Sequence, residues 1–184
     1  NMGLKNRVSS GLDWVFDHEE SAIILEDDCL ADPTFFPYAT ELLERFSKDN
    51  RVGMISGNNF LRGARVSEYS YFFSHDVRIW GWATWRRVWK DFSATGLDKD
   101  WSAPDVDKAT ALLENPRRRR AMRSTAKKVH ILDSWAHPFT LHCLDQGFLN
   151  VTPEANLVSN IGFGANSTHT AFESFTDELP ADSI

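Results

Sequence analysis

Cysteine is scarce in this chain. Only Cys29 and Cys143 occur among 184 residues, with no CxxC pair and no Cys/His ligand spacing. A disulfide framework and a structural zinc site are therefore not expected, and the usage suits a reducing compartment. Basic charge does not dominate either. Twenty Lys and Arg stand against 26 Asp and Glu, a formal net charge of −6, which argues against nucleic acid as a partner for the surface as a whole. No apolar run approaches the length of a membrane span, no signal peptide opens the chain, and no repeat or low-complexity linker interrupts it. The remainder, 42% hydrophobic and 25% charged, is that of a single globular domain with a real core, about residues 1–160, followed by a loop or lid over 160–184.

Against this background two features stand out. Residues 22–30 read AIILEDDCL, a continuous apolar run that ends in Glu26, Asp27 and Asp28. Four of the seven tryptophans fall between residues 80 and 89.

Periodicity supplies the frame around them. Residues 4–17 read as an amphipathic helix with Val8, Leu12, Val15 and Phe16 on one face. Residues 22–26 lack polar alternation, as in a strand covered on both faces. Asp32-Pro33 offers a helix start, and Phe35, Phe36, Ala39, Leu42, Leu43 and Phe46 follow at helical spacing. Residues 52–56 and 69–73 read as strands. Trp82, Trp85, Val88, Trp89 and Phe92 predict a helix opened by Gly81. Further helices are expected over 105–113, over 116–129 with Asn115 as cap and Pro116 in first position, and over 132–144, interrupted at Pro138 and closed by Gly147. Residues 148–152 make a last strand, and from Pro153 onward the composition is mostly that of loop. Strands alternating with helices indicate an α/β layer architecture.

Ligands of open parallel sheets bind beyond the carboxyl ends of strands, where Glu26-Asp27-Asp28 lies. Hard oxygen ligands suit Mg²⁺ or Mn²⁺, and Mg²⁺ commonly takes one or two carboxylates with substrate phosphates completing its shell. Spacing alone leaves a second reading open, in which Asp27 and Asp28 are loop residues ahead of the next helix. Trp80, Gly81 and Trp82 form a second candidate site: a glycine between aromatics lets backbone approach a sugar while rings offer apolar faces, although tryptophans at helical spacing equally build a core.

The segment IILEDDCLADPTFF resembles the acidic segment of GT-A glycosyltransferases, in which a strand ends in a DxD or EDD signature. It is similar to N-acetylglucosaminyltransferase I and to the haemolysin-like bacterial nucleotide-diphospho-sugar transferases. NMGLKNRVSSGLDWVF resembles the Asn-x-Gly helix that precedes the signature in that fold. WGWATWRRVW and NLVSNIGFGANSTHT also resemble the bacterial group, so the likeness runs from residue 1 to about residue 172.

The resemblance implies an α/β, GT-A-like mixed sheet with flanking helices. It implies a metal-dependent glycosyltransferase that moves a sugar from a nucleoside-diphosphate donor to a hydroxyl of a carbohydrate or glycolipid, with inversion. Asp28 would hold Mn²⁺ or Mg²⁺, Glu26 and Asp27 would contact donor ribose or sugar or the metal's waters, and Trp80, Gly81 and Trp82 would contact substrate. Asp133, in Asp133-Ser134-Trp135, resembles the Asp-Asp-Trp segment that supplies the catalytic base, with a helix cap as the alternative. His169 would join the metal from a C-terminal loop hinged at Gly162-Phe163-Gly164; a lone loop histidine is equally ordinary as a solvated residue.

Family members also carry an N-terminal half-sheet that holds the nucleobase. Nothing here corresponds to it, so the chain reads as a catalytic fragment, inactive alone. The basic run from Arg117 to Arg120 with Arg123, Lys127 and Lys128 reads as a solvated helix face that permits peripheral contact with an anionic membrane surface; a cytoplasmic setting, at or near the inner membrane surface, is expected. The alternatives are a metal-dependent phosphoryl hydrolase on the same carboxylates and a non-catalytic carbohydrate-binding fragment using the tryptophans.

Overall fold

The computed structural model describes residues 1–61 and 63–162. The chain opens with α1 (Gly3–His18), whose Leu12 and Phe16 are buried with Ser9 and whose Val8 packs against the core. It turns back into β1 (Ser21–Ile24) and continues through β2 (Cys29–Ala31), α2 (Phe35–Arg45), β3 (Val52–Ser56), β4 (Tyr71–Ser74) and β5 (Trp82–Trp85). Helices α3 (Arg86–Thr95), α4 (Ala103–Thr110) and α5 (Pro116–Ala126) follow, then α6 (Ala136–Asp145), β6 (Leu149–Pro153) and β7 (Val158–Asn160).

Five strands form one mixed sheet in the order β1-β5-β3-β6-β4. β3 and β6 are parallel, while β5 runs against both β1 and β3, and β4 runs against β6. The carboxyl ends of β1, β3 and β6 therefore share one end of the sheet with the amino ends of β4 and β5. A separate two-stranded ladder pairs β2 with β7, Cys29 opposite Asn160. The protein is thus mixed α/β with helices flanking a sheet of both strand directions. Among the described residues no helix is long and apolar enough to cross a membrane.

The sheet is covered on both faces. α2 lies on the face carrying Trp85, whose Nε1 donates to the Leu43 carbonyl at 3.1 Å. On the other face Trp82 meets Trp89, Trp135 and Phe139, with the Trp82 and Trp135 rings stacked at 5.4 Å and 18°. A second apolar cluster joins Trp101, Val106, Ala109, Leu113, Ala126, Val129, Leu141 and Leu144 across α4, α5 and α6. α6 serves both clusters and is buried nearly all round, which suits its high apolar content.

Several expectations are corrected. Residues 82–85 are a strand, not the first turn of a helix. All four are buried because β5 is an inner strand covered on both faces, and it runs directly into α3, so that Trp82, Trp85, Trp89 and Phe92 mimic one helical period. Pro138 does not interrupt α6, which begins only at Ala136; the proline sits in the first turn, where its missing N–H costs no bond. The stretch after Pro153 contains β7, and β2 was not expected at all. β1 ends at Ile24, so Glu26 lies in the following turn. Other signals agree: β3 spans residues 52–56, and the Asn115 side chain accepts from the N–H groups of Arg117 and Arg118. Gly147, at φ +68°, closes α6, with Gly147 N–H donating to Leu144 O and Phe148 N–H to Cys143 O.

Candidate active site

The three carboxylates occupy the turn that leaves β1 at the shared end of the sheet and enters β2. Cys29 N–H donates to Glu26 O at 3.1 Å and closes the turn. Ile161 N–H donates to Asp28 O at 2.8 Å and extends the β2–β7 ladder beside the acidic residues. Glycine is required at the next position. A Cβ on Gly162 would lie 2.5 Å from Asp28 Oδ2 and 2.9 Å from Asp28 Cβ. Gly162 N–H is itself held by Asn160 Oδ1 at 2.7 Å.

Glu26 and Asp27 are exposed, and Asp28 is half-buried. Neighbouring protein atoms nevertheless crowd the Glu26 carboxylate. Burial raises its pKa above the ordinary glutamate value, and the charges of Asp28 and then Asp27 add to the rise. Among the described residues no Lys, Arg or His forms an ion pair with any of the three. The Cys29 thiol next to them is no nucleophile at neutral pH, since burial pushes its pKa to about 11. Among the described residues, the turn is therefore a concentrated negative charge with no basic partner at the end of a strand.

Whether a divalent cation fits can be judged from this donor set. No group of three or more His, Cys, Asp or Glu side chains among the described residues is arranged to hold a metal ion. The carboxylates fit a cation that takes one or two protein oxygens and completes its shell with substrate phosphate and water, as Mg²⁺ commonly does.

The tryptophan segment divides. Trp80 is half-buried, sets its ring edge against Phe60 at 5.0 Å, and leads into Gly81. Gly81 is buried at φ +57°. A Cβ there would lie 2.6 Å from Val158 Cγ2 and 3.1 Å from Leu25 Cδ2, so packing, not a sugar, demands the glycine. Its carbonyl accepts from Gly57 N–H at 2.6 Å, which ties the segment before β5 to the end of β3. Trp82 is fully buried and belongs to the core. Of the three expected substrate contacts, only Trp80 keeps accessible surface, and the Leu25–Gly81 approach places it close to the start of the acidic turn.

Asp133 is engaged by α1. Its Oδ2 accepts from Leu4 N–H at 2.8 Å and its Oδ1 from Lys5 N–H at 2.9 Å. Each oxygen thus caps an open N–H group at the start of α1, so the expected base also serves as a helix cap contributed from far along the chain. The cap belongs to α1, not to the helix that follows Asp133. His169, Phe163 and Gly164 lie outside the described residues.

Sequence reasoning missed Asn160 and the run Gly57-Asn58-Asn59, and it read Gly162 as a loop hinge without its place against Asp28. Asn58 is 1% exposed, with neither amide atom hydrogen-bonded among the described residues. A signal existed: β3, like β1, is an apolar run that ends abruptly in polar side chains. No protein-family model matches the chain, and the curated proteins contain no significant match to it.

Proposed function

We propose that this chain carries the metal and diphosphate site of a GT-A-like glycosyltransferase, supported by one observation above all. Among the described residues, no cationic side chain forms an ion pair with the three carboxylates at the carboxyl end of β1. Asp28, half-buried against Gly162, holds Mn²⁺ or Mg²⁺, and Glu26 and Asp27 receive the ribose, the sugar or the metal's waters. The cation supplies Lewis-acid stabilisation to the departing diphosphate. Trp80 offers a ring beside the turn for the transferred sugar. A hydroxyl of a carbohydrate or glycolipid acceptor displaces the nucleoside diphosphate in line, with inversion, in a cytoplasmic setting. Both Asp133 oxygens accept N–H groups of α1, and the base is left unassigned.

Calorimetry tests the reading. Weak, Mn²⁺-dependent binding of nucleoside diphosphates through the diphosphate is expected for the chain and is abolished by Asp28→Asn, which keeps shape and removes charge. Unchanged Mn²⁺ affinity in a folded Asp28→Asn protein would sink the assignment. Mn²⁺-dependent release of phosphate from simple phosphate esters, without action on nucleotide sugars, would favour a phosphoryl hydrolase instead.

A further inference from the structure

The basic run of α5 plays no part in the acidic turn. From Asn115 to Leu132 the chain carries seven Lys and Arg and not one carboxylate, in a protein of net charge −6. The structure sorts the seven into two groups. Arg118 pairs with Asp76 at 3.0 Å and Arg123 with Asp107 at 2.9 Å, while Arg119 donates from Nε and Nη2 to the Leu113 carbonyl at 3.1 and 2.6 Å. Arg117, Arg120, Lys127 and Lys128 are exposed and form no ion pair among the described residues. At 3.6 residues per turn these four fall within about a third of the helix circumference. Met122 and the buried Ala126, on the other side, pack into the second apolar cluster. The free cations therefore form one outward stripe along α5 and the residues that follow it.

An apolar side chain closes the stripe. Ile131 ends the single 3₁₀ turn Val129–Ile131 and is 71% exposed. Its N–H donates to Lys128 O at 3.0 Å. Residues three apart in such a turn eclipse each other, so the Ile131 and Lys128 side chains leave on the same side.

The form of this surface selects its occupant. Arg117 and Lys127 lie about 15 Å apart along the helix axis, too far to converge on one phosphate. No Phe, Tyr or Trp occurs from residue 115 to 132, so a nucleobase has no ring to stack on. A long cationic helix face with an apolar residue at its margin suits a helix lying in a headgroup layer, its Lys and Arg stems extended toward anionic heads.

We propose that α5 and the turn after it dock the protein on an anionic lipid bilayer. Arg117, Arg120, Lys127 and Lys128 meet the head groups, and Ile131 enters the acyl boundary. Each cation brought to such a surface raises partition about fivefold, and the attraction fades beyond a Debye length of about 8 Å. At that range the contact face decides, so an acidic protein binds through a basic stripe. The proposal rests on this surface alone and holds whether or not the acidic turn binds a nucleotide.

Vesicle co-sedimentation of the full chain tests it. Vesicles of equal parts phosphatidylglycerol and phosphatidylcholine are compared with vesicles of phosphatidylcholine alone. Binding to the mixed vesicles only is expected, and high salt reverses it. Lys127→Gln with Lys128→Gln is expected to weaken it about tenfold or more. Arg45→Gln with Lys48→Gln removes the same charge at exposed positions by the end of α2, on the opposite face of the sheet. That pair is expected to change binding less than about twofold. Ile131→Ser is expected to weaken binding several-fold. All of these positions are exposed, so an unchanged unfolding midpoint is expected throughout. Absence of binding to the mixed vesicles overturns the proposal, as does equal weakening by the α2 pair. Binding that Ile131→Ser leaves unchanged removes the bilayer as occupant, and so does equally tight binding of a DNA duplex in the same salt.

Discussion

Gly3 and Asp133 are fitted to each other: a Cβ on Gly3 would lie 2.7 Å from Asp133 Oδ2, and Gly3 holds a φ of +76° that other residues rarely adopt. The carboxylate can reach the N–H groups of Leu4 and Lys5 only because nothing projects from position 3. Asp133→Ala is expected to lower stability by about 0.5–2 kcal/mol, the range of a lost N-cap, and Asp133→Asn by less because it keeps an acceptor oxygen. Gly3→Ala is expected to act in the same direction. Urea unfolding of the three variants measures the effect, and an unchanged midpoint for Asp133→Ala would remove the capping role.

Glu26 links the acidic turn to pH. Its pKa in the folded protein is raised above 4.5, so folding favours its protonated form. The stability it contributes is fully present below 4.5 and is lost as pH rises through the folded value. At neutral pH the ionised side chain therefore opposes folding. Glu26→Gln is expected to raise the unfolding midpoint at pH 7 and to leave it nearly unchanged at pH 4. Thermal unfolding at the two pH values tests this, and a lower midpoint at pH 7 would contradict it.

Trp82→Ala is expected to cost about 3–5 kcal/mol, the range for emptying an aromatic site in a packed core. The stacked partner Trp135 and the inner strand β5 would both lose support. Trp82→Phe is expected to cost much less. The Trp82 Nε1 has no hydrogen-bond partner among the described residues, so the smaller ring removes a buried unpaired donor as it opens space. Denaturant midpoints of the pair decide the matter, and equal losses would argue against a packing role.

His142 is 2% exposed, and its Nε2 lies 3.1 Å from Asp91 Oδ2 without the alignment of a hydrogen bond. Burial lowers its pKa below 6.5 and outweighs the opposing pull of Asp91. The unfolded chain then binds a proton that the folded chain refuses. Stability from this group is complete above pH 6.5 and falls as pH drops below it toward the folded pKa. His142→Gln is expected to reduce the loss of stability between pH 7.5 and 5.5. Urea midpoints measured at both values check the slope; an identical slope in the variant would exclude His142 as its source.

Much of the architecture could be read from local chemistry. The run 52–56, the Asn115–Pro116 start and the Gly147 stop each rest on neighbours within one turn. The features that escaped notice depend on distant partners. Asp133 meets α1 across most of the chain, and β7 pairs with β2 in a segment whose Asn and Ser suggest loop. β5 was misread because its inner position erased the alternation that marks a half-covered strand. At the candidate site, the acidic turn was visible as a composition break, while Gly162 beside Asp28 was not.

The pairing of β2 with β7 sets an order of events for the nascent chain. The acidic turn lies between β1 and β2, but β2 has no strand to join until residues 158–160 have been made. β1 likewise waits for β5, at residues 82–85. Contacts of such sequence separation form late and slow the search for the native state. During synthesis the carboxylates would therefore hang from an unpaired strand, and their spacing would be drawn only when the last ladder closes. The site is a product of the whole polypeptide, finished by its most distant described strand.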